Sequence, residues 1–317
     1  MANVLKAQLL ATLGERFGAI SRLPDSQSLF SLGDDAARIY FRYSKVHERG
    51  RTFFGLREID LRQLEGHNSF LCLLLDDGTP PVFIPFADFE GVFRSAEPAN
   101  DGQYKVQIIS QEDSRQLYIA RKGRFSIEGY IGLDSLERSI SADRFRPAHD
   151  LSHSQVQTLL AGVGNMKGLG VWIPDNDVNR LDWSLTRRFP LTGSLPVGFG
   201  DVASILAEVD VVWVAPGSNR IEALFEVEHS TPVYSGLLRF NDVLLTEPSV
   251  NRFHIVSNEV RRATFSRQAF RPTFRKSGLS ELVSFLEYTN VFDWHTRLAK
   301  GNVGNGDEEN RSALRRG

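Results

Sequence analysis

The chain has 317 residues, 41% of them hydrophobic, enough for two domains of ordinary size, each with its own core. A formal net charge of −2 excludes a global basic excess, so any surface for a polyanion must be local. The single cysteine, Cys72, excludes a disulfide framework or a cysteine-based zinc cluster, and its place in the run SFLCLLL reads as a buried small hydrophobe. No stretch reaches the roughly 18 apolar residues that a membrane helix needs, and the N-terminus lacks a signal-peptide layout. A soluble cytoplasmic protein with no membrane partner is the expectation.

Residues 1–20 place Val4, Leu5, Leu9, Leu10, Leu13 and Phe17 at amphipathic-helix spacing. From Arg38 to Ile131 the pattern predicts seven strands, RIYFRYS, TFFGLR, SFLCLLL, PVFIPF, QYKVQII, QLYIA and RFSIEGYI, with one short helix near Ala87–Phe93. Short strands with close turns predict a compact β-barrel or sandwich. One segment of this half is strongly basic. Arg38, Arg42, Lys45, Arg49, Arg51, Arg57 and Arg62 alternate with Tyr40, Phe41, Tyr43, Phe53 and Phe54. Basic side chains neutralise phosphates and planar groups stack on bases, so Arg42, Lys45, Arg49, Arg51 and Arg57 are the candidate DNA contacts, with the loop Lys45–Arg51 foremost. Gly132–Asp150 is charged and lacks strong periodicity, which predicts a linker.

From Leu151 a helix is expected, capped by Ser152 and carrying Val156, Leu159, Leu160 and Val163 on its apolar face. The following AGVGNMKGLG lacks the strand–loop–helix order of a dinucleotide loop, so its glycines read as close packing and a helix stop, and no nucleotide cofactor is expected. Val209–Val214 is an apolar β-branched run interrupted by Asp210, Ala215–Arg220 is a turn, and Ile221–Glu228 returns as a strand. Two-residue alternation puts Glu226 and Glu228 on one face and His229 on the other. Carboxylates on neighbouring buried strands repel unless a cation or proton lies between them, and oxygen-rich sites suit Mg²⁺ or Mn²⁺. Beyond them lie a helix bearing Arg239, the strand NRFHIVSN, a segment containing Arg261, Arg262, Arg267 and Arg271, a final helix in SGLSELVSFLEY, and a tail from Gly301 with disordered-type composition.

Asp, a hairpin, then Glu-x-Glu closing the next strand resembles the metal site of the PD-(D/E)XK nuclease superfamily, the restriction-endonuclease fold. The words FEVEHST, SGLLR, HIVSN and RPTF, in that order, are similar to its restriction-related members over roughly residues 150–290. In this likeness Val171–Pro174 is the first core strand, Glu208–Val214 the second and Ile221–Glu228 the third. The order of strands in the first half is similar to the B3-like pseudobarrel with which some restriction enzymes read DNA. The resemblance implies an α+β, two-domain chain: residues 1–145 a β-rich pseudobarrel that recognises DNA, 146–300 an α/β nuclease core with a central mixed sheet flanked by helices, and 301–317 a disordered tail. It implies an Mg²⁺-dependent endonuclease of the type II restriction class (Mn²⁺ as a substitute) acting on double-stranded DNA, and a homodimer. Asp210, Glu226 and the Val227 carbonyl would bind the metal. Glu228 stands where the commoner pattern has Lys; it would accept the water's proton or reach a second metal through that water, with Arg239 or Lys167 supplying the missing positive charge. That departure leaves open a non-cleaving DNA-binding or sensor protein on the same fold.

Overall fold

Short strands with apolar residues on one or both faces build two sheets in the first half of the chain and a third in the second. The computed structural model describes residues 2–313 apart from 24–25, 34–36, 48–50, 112–113, 145–149, 196–197 and 230–231. The chain forms two compact units, Met1–Pro147 and Ala148–Gly317. No helix among the described residues is long and apolar enough to cross a membrane.

The first unit runs α1 (Ala2–Phe17), β1 (Ile20–Arg22), β2 (Leu29–Leu32), β3 (Ala37–Ser44), β4 (Phe54–Arg57), α2 (Glu58–Arg62), β5 (Ser69–Leu75), β6 (Val82–Pro85), α3 (Phe86–Ser95), β7 (Gln103–Gln111), β8 (Ser114–Ile119), β9 (Gly123–Ser126) and α4 (Leu133–Arg144). Six of the seven strands read from the sequence are present, and the seventh, RFSIEGYI, is a strand only to Ser126, after which Glu128–Tyr130 form a 3-10 turn. β1 and β2 are additional, too short to show alternation. The strands form a five-stranded sheet, β1-β2-β3-β5-β6, and a four-stranded antiparallel sheet, β4-β7-β8-β9; among the described residues they do not close into a barrel. Tyr40, Leu71 and Leu73 of the first sheet share a core with Phe54, Val106, Ile108 and Leu117 of the second. The other face of the first sheet, with Ile39, Phe41, Phe70, Cys72 and Leu74, packs on Leu9 and Leu13 of α1 and on Leu136 and Ile140 of α4. Covered on both faces, β5 is apolar throughout rather than alternating. The expected linker is therefore mostly helix: Leu133, Leu136 and Ile140, three and four residues apart, form a narrow stripe among charged neighbours that periodicity alone did not reveal.

The second unit runs α5 (His153–Met166), β10 (Gly170–Trp172), α6 (Asp175–Val178), α7 (Ala203–Leu206), β11 (Val211–Val214), β12 (Ile221–Val227), α8 (Val233–Thr246), β13 (Phe253–Ser257), α9 (Arg262–Ala269), α10 (Pro272–Ser277), α11 (Leu279–Leu282), β14 (Val283–Glu287) and α12 (Tyr288–Ala313). One mixed sheet in the order β10-β11-β12-β13-β14 is antiparallel from β10 to β12 and parallel from β12 to β14. α5 and α12 cover one face and α7 to α11 the other. The expected final helix divides in two places: Gly278 at φ 86° ends α10, and VSFLE becomes a strand that pairs with β13. Of the tail from Gly301, only the helical backbone to Ala313 lies within the described residues.

Two glycines let α5 lie close on its neighbours. A Cβ on Gly164 would meet Trp213 Nε1 at 2.5 Å and Val171 Cγ2 at 2.8 Å, and one on Gly162 would meet the His295 ring at 2.9 Å. Trp213, fully buried, donates its indole N–H to the Leu160 carbonyl at 3.2 Å, so it has nowhere to retreat. Gly164→Ala should therefore destabilise the chain by about 1–3 kcal/mol through overpacking. Denaturant unfolding checks this, and a wild-type midpoint would show that the helix can shift without cost.

Candidate active site

The start of β11 and the end of β12 bring three acids together. β11 and β12 pair in the register Val211↔Phe225 and Val212↔Leu224, so Asp210, one residue before β11, continues the ladder opposite Glu226. Along β12, Ala223, Phe225 and Val227 enter the core under α5 and α12, which turns Leu224 and Glu226 toward α8. Asp210 Oδ2 accepts the Val227 N–H at 2.6 Å, and the Asp210 carbonyl accepts from Gln157 Nε2 at 2.9 Å. His153 Nε2 lies 3.5 Å from Asp210 Oδ1. His153 opens α5, where Ser152 and Gln155 form a reciprocal capping box that fixes the helix start. Its pKa is raised, chiefly by the hydrogen bond to Asp210.

Glu226 is 1% exposed and held by both arms of Arg239, Nε to Oε1 at 2.6 Å and Nη2 to Oε2 at 2.7 Å. Burial nevertheless pushes its carboxyl up to about 8, helped by Asp210 and Glu228 and opposed by the guanidinium. The Arg239 guanidinium is held above its ordinary value by the same pair. Arg239 Nη1 is also 3.9 Å from Glu208. The approach of α8 depends on Gly236, one turn before Arg239: a Cβ there would lie 3.0 Å from Glu228 Oε1 and 3.2 Å from Glu226 Cβ. Glu228, 2% exposed, follows the last residue of β12. Its N–H donates to the Val256 carbonyl at 2.8 Å, and its own carbonyl accepts from Ser257 Oγ and from Arg261 Nη1 at 3.2 Å. Arg261 also reaches the His229 carbonyl at 3.0 Å. The His229 ring is parallel to that of Tyr288, 6.2 Å away, and burial lifts the Tyr288 hydroxyl to about 12 with further contributions from Glu228 and Asp210.

The structure thus assembles Asp210, Glu226, Glu228 and Arg239, all singled out by the sequence, and adds His153, Gln157, Gly236 and Arg261. These additions act across elements and leave no local pattern to read. Lys167 does not join them: it caps the far end of α5, about 20 Å along the helix from His153, with Nζ 5.5 Å from the Trp294 ring. Val227 is engaged through its N–H. Among the described residues no group of three or more His, Cys, Asp or Glu side chains forms a ready metal cage.

The basic segment of the first unit divides between core and surface. Tyr40, Phe41 and Phe54 are buried, while Phe53 is 52% exposed. Arg38 is buried and donates to the Gln63 carbonyl at 2.7 Å, and Arg62 pairs with Glu58. Arg57 grips buried Asp60 with two hydrogen bonds of 2.7 and 2.8 Å. Arg42 is half-buried, 5.7 Å from the Tyr40 ring; Lys45 and Arg51 are exposed; Arg49 lies outside the described residues. The His47 N–H donates to the Arg51 carbonyl at 2.8 Å, and the His47 ring meets that of Phe53 edge-on at 5.8 Å. His47 was not singled out by the sequence.

Residues 136–302, more than half of the chain, match the family described as the type II restriction enzyme NmeDI C-terminal domain, and the chain belongs to that family. It is similar to the type II restriction enzyme NmeDI of Neisseria meningitidis serogroup C, 29% identical over 133 residues that make up 39% of this chain and 37% of that protein. The match therefore spans little more than a third of the relative's length. No solved structure matches the chain significantly.

The raised Glu226 carboxyl has a consequence for stability. Unfolded, it titrates near 4.5 and folded near 8, so across that window the folded state holds the extra proton and stability falls as pH rises. Glu226→Gln should remove this decline. In metal-free buffer its melting temperature should gain on wild type between about pH 5 and pH 8. Two curves that stay parallel would show that the site does not hold Glu226 as a protonated acid.

Proposed function

We propose that the chain is a divalent-metal-dependent DNA endonuclease of the type II restriction class, with a PD-(D/E)XK-like core in the second unit. The observation that carries this is the clustering of Asp210, Glu226 and Glu228 at one end of a mixed sheet, with the Arg239 guanidinium bonded to Glu226 among them. The sheet supports it: an antiparallel pair bears the acids, and two parallel strands follow. Membership of a restriction-enzyme family points the same way.

The donor set fits Mg²⁺, with Mn²⁺ as a substitute. Carboxylates are hard ligands, and burial beside Asp210 and Glu228 raises the Glu226 carboxyl despite the Arg239 guanidinium. Asp210, Glu226 and the Val227 carbonyl would hold the ion, which requires Arg239 to release Glu226. Such an ion supplies Lewis-acid polarisation of a scissile phosphate and a lowered pKa for a bound water. Released, Arg239 offers a two-pronged donor suited to a phosphate. Glu228, on the same side of the strand, holds the position from which a carboxylate accepts a proton. His153 and the Val227 N–H keep Asp210 oriented.

In the first unit, Arg42, Lys45, Arg49, Arg51 and Arg57 are proposed to contact double-stranded DNA, with His47 and Phe53 beside them. Asp60 fixes the Arg57 guanidinium and so its place on that surface. Cutting two strands with one site per chain favours a homodimer, and the proposed location is the cytoplasm. The Arg239–Glu226 pair also supports a second reading. A guanidinium already fills the cation's place, as it would in a DNA-binding or sensor protein that no longer cleaves.

Nicking of supercoiled DNA carrying diverse sequences, with Mg²⁺ or Mn²⁺, separates the two readings. Wild type should cut, while Asp210→Ala and Glu226→Ala should cut undetectably while retaining DNA binding. Cutting by both variants at wild-type rate would remove the acids from the chemistry, and binding without cutting by wild type would favour the sensor. Glu228→Gln keeps the side-chain shape but removes the basic oxygen, and single-turnover cleavage should slow on the order of 10²- to 10⁴-fold. An unchanged rate at saturating metal would exclude Glu228 as the base.

A further inference from the structure

Residues 260–280 carry six basic side chains, Arg261, Arg262, Arg267, Arg271, Arg275 and Lys276, and no acid, in a chain of net charge −2. Two of the six are engaged locally: Arg261 with the carbonyls at the end of β12, and Arg262 with Glu287. The other four are exposed, and among the described residues none of them pairs with a carboxylate. Their direction follows from packing. Phe265 and Ala269 bury one face of α9, so Arg267, about 200° round the helix from Phe265, faces outward. Phe274 does the same for α10 and leaves Arg275 and Lys276 in solvent. Phe270, 60% exposed, lies between Arg267 and Arg271.

This ridge is joined to the acid site at two points. Arg261 bonds the end of β12, and the Arg271 guanidinium lies 4.8 Å from the ring of Tyr234, in the first turn of the helix that carries Gly236 and Arg239. Four uncompensated cations on so short a segment repel one another and are relieved by a polyanion. Three of the four are arginines, whose planar forks match phosphate oxygens, and an exposed ring among them offers a stacking or wedging surface. We infer that α9 and α10 form a sequence-independent site for the phosphate backbone of DNA, adjacent to the acids. This rests on the nuclease reading of those acids and adds the track by which substrate is held there. Both units then grip DNA: the first at the surface proposed to read sequence, the second by charge alone.

The full chain is tested as Arg267→Gln/Arg271→Gln/Arg275→Gln/Lys276→Gln, with thermal melting as the check on folding. Binding to a random-sequence duplex is followed by fluorescence anisotropy over a salt series. Loss of four phosphate contacts should reduce the slope of log affinity against log salt by about 3 to 4. A second variant replacing only the three arginines by lysine should keep most of the slope, because the charge remains. With the supercoiled DNA of the nicking assay, the glutamine variant should raise KM and leave kcat at saturation unchanged, since none of the four residues is among the acids or their partners. An unchanged slope in a variant of a cutting wild type overturns the ridge and leaves the nuclease reading standing. A wild type that binds DNA without cutting, in either metal, removes the nuclease reading, and the slope then judges the ridge by itself. A slope that stays put while binding to a poly-glutamate peptide is lost would assign the ridge to an acidic protein and overturn the inference.

Discussion

The second unit is organised by the need to keep Glu226 inside it. A carboxylate 1% exposed, with two more acids beside it, is stable in a fold only with a proton or a cation in contact. Arg239 meets that need through two short hydrogen bonds, and the helix that carries it can come close enough because Gly236 has no side chain. Without the guanidinium only a proton could neutralise the buried carboxylate, and the Glu226 carboxyl would be pushed higher still. The packing of Val233, Leu237, Phe240 and Val243 on the sheet holds α8, and with it the guanidinium, in place.

The same constraint explains where the acids lie along the chain. Asp210 precedes β11 and Glu228 follows β12, so both sit at the margin of the ladder, where side chains reach outward from the sheet without breaking its pairing. β12, β13 and β14 run parallel, and their carboxyl ends open on the same side, the position at which open α/β sheets commonly bind ligands. Ser257 closes β13, Arg261 lies just beyond it, and Tyr288 follows β14.

Much of this was legible in the sequence. The acids Asp210 and Glu226 stood out because a carboxylate flanked by valines or by Phe225 and Val227 contradicts the strand around it, and such a conflict is local. So were the strands of the first unit from β3 onward, whose turns carry glycine, proline and aspartate. What could not be read depends on partners far along the chain. His153 and Gln157 matter through Asp210, and Arg261 through the end of β12. α4 was hidden because three apolar residues among charges do not make a periodic signal. β14 is hidden in a helical pattern because SELVSFLEY suits either state until β13 offers it an edge. The basic segment of the first unit does not form one surface: Arg38 and Tyr40 are buried in β3, whose two faces are both covered, while Lys45, Arg51 and Phe53 stand exposed in the connection from β3 to β4.

The two sheets of the first unit are woven rather than laid down in turn. The chain leaves the first sheet after β3, contributes β4 to the second, returns for β5 and β6, and only then completes the second with β7 to β9. β3 and β5, side by side and parallel at the centre of the first sheet, enclose between them in sequence the edge strand of the other. Neither sheet is therefore a contiguous piece of chain, and neither can be completed while the other is missing. Their shared core ties them energetically as well. The topology ties the two sheets into one block, whose central pairing of β3 with β5 closes over the excursion through β4 and α2.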